Sequence, residues 1–174
     1  MTESGAGKRS GRNPAIGPRR RASRLAAVQT RYQLSLGGGE VEDAIIEFLR
    51  DRPGATLEGD AYAEVDGDLF ADIVRGSKRR HDEIVALLDR HLPARWRFAR
   101  LDQILAEILA CAAYELQRRP DVPAPVIINE YVEITKAFYD GKEGGFINGV
   151  LQEVANGLRA DEIEDHKHEQ SGSA

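Results

Sequence analysis

The chain is poor in cysteine: Cys111 stands alone among 174 residues. An internal disulfide is excluded, a reducing compartment fits, and a cytoplasmic location is expected. Cys111 lies in an apolar helical run, where a small buried core residue is the ordinary reading. Long hydrophobic runs are also missing. No stretch approaches the ~20 apolar residues that span a bilayer, so no membrane segment is expected. Residues 1–30 lack the apolar block of a secretory signal. They are rich in arginine and poor in acid, as mitochondrial transit peptides also are, but the arginine cluster runs straight into a helix with domain-like spacing. Period-two alternation is absent, which argues against a sheet.

Catalytic constellations are absent as well. The GKEGG run from Gly141 to Gly145 lacks the Ser or Thr, and the preceding strand, of a phosphate loop. Gly37-Gly38-Gly39 follows a helix, so it is no dinucleotide fingerprint. Acidic residues spread along helix faces as solvated charge does, and no nucleophile has a base placed to activate it. His166 and His168 sit in a polar tail without structured partners and make no metal site. No enzyme, cofactor or metal is expected; function lies in binding.

What is present is a charge asymmetry. The net charge of -5 conceals a balance of +7 over residues 1–31 and -12 over the rest. A protein acidic on average presents a basic N-terminal region able to attract polyanions. Residues 1–18, rich in Gly, Ser, Pro and Arg, read as a disordered basic arm. Residues 161–174 read as a disordered acidic tail, and residues 19–160 as the folded domain.

Within that domain every segment has helical spacing. Leu25, Val28, Tyr32 and Leu36 define a first helix ended by the glycines at 37–39. Ile45, Ile46, Phe48 and Leu49 define a second, over 41–50. The stripe Phe70, Ile73, Ser77, His81, Ile84 and Leu88 predicts one long helix over 66–92, with His81 an interhelical histidine. Trp96 and Phe98 fall in a short connector. Leu101 to Leu116 form the next helix, and Pro120 to Pro125 a rigid elbow in which Pro125 suits a first helical turn. Ile127, Tyr131, Ile134 and Phe138 mark the helix after it. The last runs through Phe146, Ile147, Val150, Leu151, Val154 and Leu158. It passes over Asn148-Gly149, a pair that in isolation signals a hairpin turn. A mid-helix glycine costs roughly 0.5–1 kcal/mol relative to alanine, which predicts a close backbone beside Gly149 and a bond from Asn148 toward Asn129. The fold class is all-α, with six to seven helices.

At 100° per residue, Arg20, Arg24 and Arg31 lie within about 40° of one another, and Leu25, Tyr32 and Leu36 lie together more than 90° from Arg20. The first helix should therefore dock on the latter set and show a guanidinium stripe outward, where planar forks suit phosphate. Tyr32 and Phe146 are candidate stacking residues for unpaired bases, each worth roughly 1–3 kcal/mol where stacking occurs. The plainer alternatives are a solubilising charged face and two core aromatics.

Four segments carry a family resemblance. They are RRRASRLAAVQTRYQL (Arg19 to Leu34), LFADIVRGS (Leu69 to Ser77), AAYEL with DVP (Ala112 to Leu116 and Asp121 to Pro123), and the INEYVEITKAF and FINGVL pair. Together they resemble the NusB transcription antitermination factors over roughly Arg19 to Leu158. The resemblance implies a NusB-like fold of two packed helical subdomains. It implies binding of boxA-type single-stranded RNA in ribosomal RNA leaders with ribosomal protein S10 (NusE), and loading onto RNA polymerase with other Nus factors. Carried over by position, the RNA contacts are Arg20, Arg21, Arg24, Gln29, Tyr32 and Phe146. Departures are Gly144-Gly145 before that Phe, Lys142 where an acid is common, and Leu109-Ala110 where Leu-Arg is usual. The competing expectation is a helical protein-interaction scaffold whose basic arm binds no RNA. A homodimer is left open.

Overall fold

The computed structural model describes residues 16–51, 56–57, 60–61 and 65–160. Among them are seven α-helices: α1 (Ile16–Gly37), α2 (Val41–Arg50), α3 (Gly67–Arg79), α4 (His81–His91), α5 (Gln103–Arg118), α6 (Ala124–Phe138) and α7 (Glu143–Leu158). A short 3-10 turn covers Phe98–Arg100, and the α2–α3 connection holds one two-residue antiparallel ladder, β1 (Thr56–Leu57) with β2 (Asp60–Ala61). The fold is all-α, as expected. The proposed arm and tail, with His166 and His168, lie outside the described residues, except that residues 16–18 are helical rather than part of an arm.

Local chemistry sets the helix ends. Gly38 and Gly39 take φ of 69° and 106°, the left-handed region that favours glycine, and close α1. Asp66 caps α3 by accepting from the Leu69 N–H at 3.2 Å, and Asp102 caps α5 by accepting from that of Ile104 at 3.1 Å. Pro125 lies in the first turn of α6.

The single long helix expected over 66–92 is instead two, broken at Arg80. Charge order explains the break. Lys78 and Arg79 close α3 and Asp82 and Glu83 open α4, each sign where a helix dipole favours it.

The core centres on α5, in which every residue from Ala106 to Leu116 is buried. It packs against α1, α3, α4, α6 and α7, joining an α1–α3 group to an α4–α7 group over one continuous core. Cys111 is fully buried there, and burial pushes its thiol up to about 12.

One glycine departs from expectation. Gly149 is exposed, has open space where a Cβ would sit, and so makes no close approach. Asn148 and Asn129 are both exposed, and no hydrogen bond joins them. The close approach is at Gly76, where a Cβ would overlap the Tyr114 ring. That ring is fixed by its hydroxyl donating to Asp72 at 2.8 Å.

One clamp closes the domain after α7. The Arg159 guanidinium donates to four backbone carbonyls at and beyond the end of α5: Leu116 at 2.9 Å, Val122 at 2.6 Å, Glu115 at 3.2 Å and Arg119 at 2.8 Å. Leu116 O, whose helical partner would be the N–H that Pro120 lacks, finds its donor there, while Glu115 O and Arg119 O also accept the Arg119 and Val122 N–H groups.

Candidate nucleic-acid interface

The orientation of α1 decides what this surface can do, and it is the reverse of the one the apolar spacing predicts. The buried arc is centred on Arg24, Ala27, Arg31 and Leu34, whereas Leu36 is 66% exposed. Arg24, expected outside, is 2% exposed. Its Nε and Nη2 donate to the two carboxylate oxygens of Glu115 at 2.8 and 2.9 Å, and the Tyr131 hydroxyl adds a third bond to Glu115 at 2.6 Å. Arg31 is 1% exposed. It donates to Glu107 at 2.6 Å and to the Ser77 hydroxyl at 2.9 Å, and Gln103 donates to the other Glu107 oxygen at 2.7 Å.

The physical reason lies in α5. Glu107 and Glu115 occupy an otherwise apolar buried helix, and an isolated carboxylate there costs several kcal/mol. Arginines two turns apart on α1 face glutamates about two turns apart on α5, and each pair forms one rung, roughly 11 Å from the next. Burial alone would lower the Arg24 pKa; the hydrogen bond and charge of Glu115 outweigh it and raise it. His81 stands at the second rung, 3.4 Å from Arg31 and edge-on to Phe98. Burial, then the Arg31 and Lys78 charges, lower its pKa.

The outward face of α1 carries Arg21, Leu25, Gln29, Tyr32 and Leu36, all within about 80°. Arg21, whose side chain is 49% exposed, forks onto Glu130 at 3.0 and 2.8 Å, and that bond raises its pKa. Arg20 is half-buried and makes no ion pair among the described residues. Gln29 is exposed and Tyr32 half-buried. So Arg20 and Arg21 remain at the surface while Arg24 does not.

Tyr32 lies near Tyr139, whose pKa burial and then Asp102 raise. The Tyr139 hydroxyl donates to Asp102. Asp102 in turn borders a cleft lined by Trp96, Leu101, Leu105, Lys142, Glu143 and Phe146. Phe146 thus lines a cleft that Asp102 joins to Tyr139, and the Tyr32 phenol contributes to raising the Tyr139 pKa. Trp96, read only as part of a connector, is 46% exposed and meets the Phe146 ring at 5.7 Å. Lys142 is exposed at the start of α7, and Gly145 has open space around it. Among the described residues no group of three or more His, Cys, Asp or Glu could hold a metal, and no helix is long and apolar enough to cross a membrane.

The sequence profile of the NusB family matches residues 21–156. The chain belongs to the NusB family. The transcription antitermination protein NusB of Rhodopseudomonas palustris (strain BisB18) is 42% identical over 145 residues, which are 83% of this chain and 86% of the relative. That of Nitrobacter hamburgensis is 40% identical over 83% of this chain and 91% of its own length. Among solved structures, T. maritima NusB superposes with a TM-score of 0.67 at 27% identity, over 83% of this chain and 96% of that one. A crystal structure of antitermination factors NusB and NusE in complex with dsRNA shares the fold, with a TM-score of 0.61 at 22% identity over 79% and 96%. The NusB family is one of transcription antitermination factors rather than of enzymes. Its motif residues now have physical roles: the Gly of LFADIVRGS admits the Tyr114 ring, and the Glu of AAYEL is the partner of Arg24.

Proposed function

We propose that this NusB-family chain binds boxA-type single-stranded RNA of ribosomal RNA leaders together with ribosomal protein S10 (NusE). In this reading the pair loads with other Nus factors onto transcribing RNA polymerase, in the cytoplasm. The observation that carries the proposal is the outward stripe of Arg21, Gln29 and Tyr32 on α1, with the Trp96 and Phe146 rings in contact at the start of α7. Arg20, Arg21, Gln29, Tyr32 and Phe146 are the proposed contacts. Arg24 is withdrawn from them, because a phosphate could reach it only by unseating Glu115 in the core.

Arg21 can exchange its carboxylate for a phosphate. The Arg21 side chain is 49% exposed against 15% for Glu130, and pairs with one partner open to water contribute roughly 1 kcal/mol. Once freed, Glu130 still has Arg24 at 3.9 Å. Tyr32 and Phe146 supply ring faces for unpaired bases. With Arg20, Arg21 and Lys142 engaged, affinity should fall with a log–log salt slope of about -2, at roughly -0.7 per phosphate neutralised.

The test is a titration of boxA RNA, and of a scrambled RNA of equal length, onto the full chain with S10 present. Preferential, salt-dependent binding of boxA supports the proposal; equal binding, or none, contradicts it. The -12 balance outside residues 1–31 favours a second reading, a scaffold that binds a basic protein without RNA. That reading wins if S10 binds tightly while RNA adds nothing.

A further inference from the structure

The cleft beside α7 holds chemistry that neither phosphate binding nor stacking on Phe146 uses. Its volume is about 350 Å³, in the range of small-ligand pockets. Trp96, Leu101, Leu105 and Phe146 form apolar walls, and Asp102, Lys142 and Glu143 stand at its edge. The Trp96 and Phe146 rings touch, with centroids 5.7 Å apart and planes at 53°. They form a corner rather than a slot, so a flat ring would lie on its open face. Trp96 is set there by a tight turn in which its N–H donates to the Pro93 carbonyl at 2.8 Å.

Glu143 is the unexplained group. Among the described residues no donor serves its carboxylate: Oε2 is enclosed beside Gly141 with no partner, and Oε1 is the acceptor left for a ligand. Its place in the first turn of α7 suits the helix dipole, which accounts for the charge but not for the unfilled acceptor. Asp102 is half occupied: Oδ1 accepts from Tyr139 and from the Ile104 N–H, while Oδ2 accepts nothing among the described residues. Both carboxylates lie close enough to Tyr139 to raise its pKa. An apolar aromatic corner edged by two acceptors calls for a planar ring with adjacent donors on one edge.

We propose that this cleft recognises one unpaired guanine of the bound strand, its ring against Trp96 and Phe146 and its Watson–Crick edge on Glu143 and Asp102. The inference rests on the RNA-binding reading and gives that surface a base preference. Guanine presents an imino N–H and an exocyclic amine side by side, and a carboxylate only accepts. Uracil flanks its one imino N–H with two carbonyl oxygens, which carboxylates repel. Cytosine and adenine place a ring-nitrogen lone pair beside their amine. Lys142 offers a cation to the adjoining phosphate. A partner protein's Lys or Arg could also enter an aromatic and acidic corner; the apolar walls favour the base.

Trp96 is the chain's only tryptophan, so its emission reports occupancy of the cleft directly. The full chain is titrated with a short oligouridylate, with the same strand carrying one central guanine, and with inosine in that guanine's place. The guanine strand should quench Trp96 and bind about tenfold tighter than oligouridylate, and inosine should lose most of that gain. Glu143→Gln should abolish the preference while helical circular dichroism stays unchanged. Trp96→Ala should weaken the guanine strand about tenfold, and Trp96→Phe should restore it. If all strands bind in a salt-dependent way with equal affinity and quenching, the guanine proposal fails and the RNA-binding reading stands. If neither these strands nor boxA RNA with S10 binds, both fail. If Trp96→Ala and Glu143→Gln weaken S10 binding without RNA and leave base preference untouched, the cleft is a protein contact and the proposal is overturned.

Discussion

Arg24→Ala should unfold this protein more readily than any change to the neighbouring arginines of α1. The guanidinium is 2% exposed and Glu115 is 0% exposed, joined by bonds of 2.8 and 2.9 Å. Removing the cation leaves Glu115 as an uncompensated charge beneath α1, a loss of about 3–5 kcal/mol. That is a large part of the roughly 5–15 kcal/mol that holds a domain together. At about 2–4 °C per kcal/mol for a chain of this size, the thermal midpoint should fall by about 10 °C. The Tyr131 hydroxyl would keep its acceptor, so the penalty is the carboxylate's rather than the tyrosine's. A rescue isolates the cause. Arg24→Met with Glu115→Leu and Tyr131→Phe removes charge, partner and orphaned hydroxyl together, and should return stability to within about 1–2 kcal/mol of the parent or above it. Urea denaturation followed by circular dichroism gives the midpoints and slopes. If Arg24→Ala keeps its midpoint and loses only RNA affinity, the guanidinium is a surface phosphate ligand and the assignment of the buried rung is wrong.

Other predictions test the packing and the pH response. Gly76→Ala should cost about 1–3 kcal/mol, because Tyr114 must move away from its Asp72 partner, while Gly149→Ala, with open space, should gain roughly 0.5–1 kcal/mol; paired urea titrations check both signs. Arg159→Ala should cost about 1–3 kcal/mol by leaving the Leu116 and Val122 carbonyls without their donor, and should raise amide exchange at the end of α5. His81 has a folded pKa below its ordinary 6.5, so the unfolded chain binds the proton more tightly. The resulting stability is present above pH 6.5 and is lost as pH falls from there toward the folded pKa. Urea midpoints at pH 7.5 and 5.5 should differ less in His81→Gln than in the parent.

Much of the fold was legible because apolar residues recur at three and four along α2, α5, α6 and α7, and prolines and glycines mark their ends. The break at Arg80 escaped because the apolar stripe runs through it; the switch from Lys78-Arg79 to Asp82-Glu83 was the available sign. The rotation of α1 was misjudged for a more instructive reason. Arginine was assigned to water and leucine to the core, yet two isolated glutamates in the apolar run of α5 demanded buried cations. Arg24 and Arg31, spaced seven apart against Glu107 and Glu115 spaced eight apart, were the signal. At the candidate site, Arg21 and Gln29 are exposed, and the RNA contacts carried over to them from the family resemblance are part of the proposal. Trp96 and Tyr139 were not legible, because a connector's position depends on tertiary packing that no periodicity encodes.

Of the five arginines of α1, Arg24 and Arg31 hold the fold, and Arg20 and Arg21 are the proposed RNA ligands. The direct measurement is the salt dependence of boxA RNA affinity, with S10 present, for the parent and for Arg20→Ala with Arg21→Ala. The double variant should keep its urea midpoint within about 1 kcal/mol and bind more weakly, with a salt slope shallower by about 1.4. Unchanged affinity and an unchanged slope would contradict the claim.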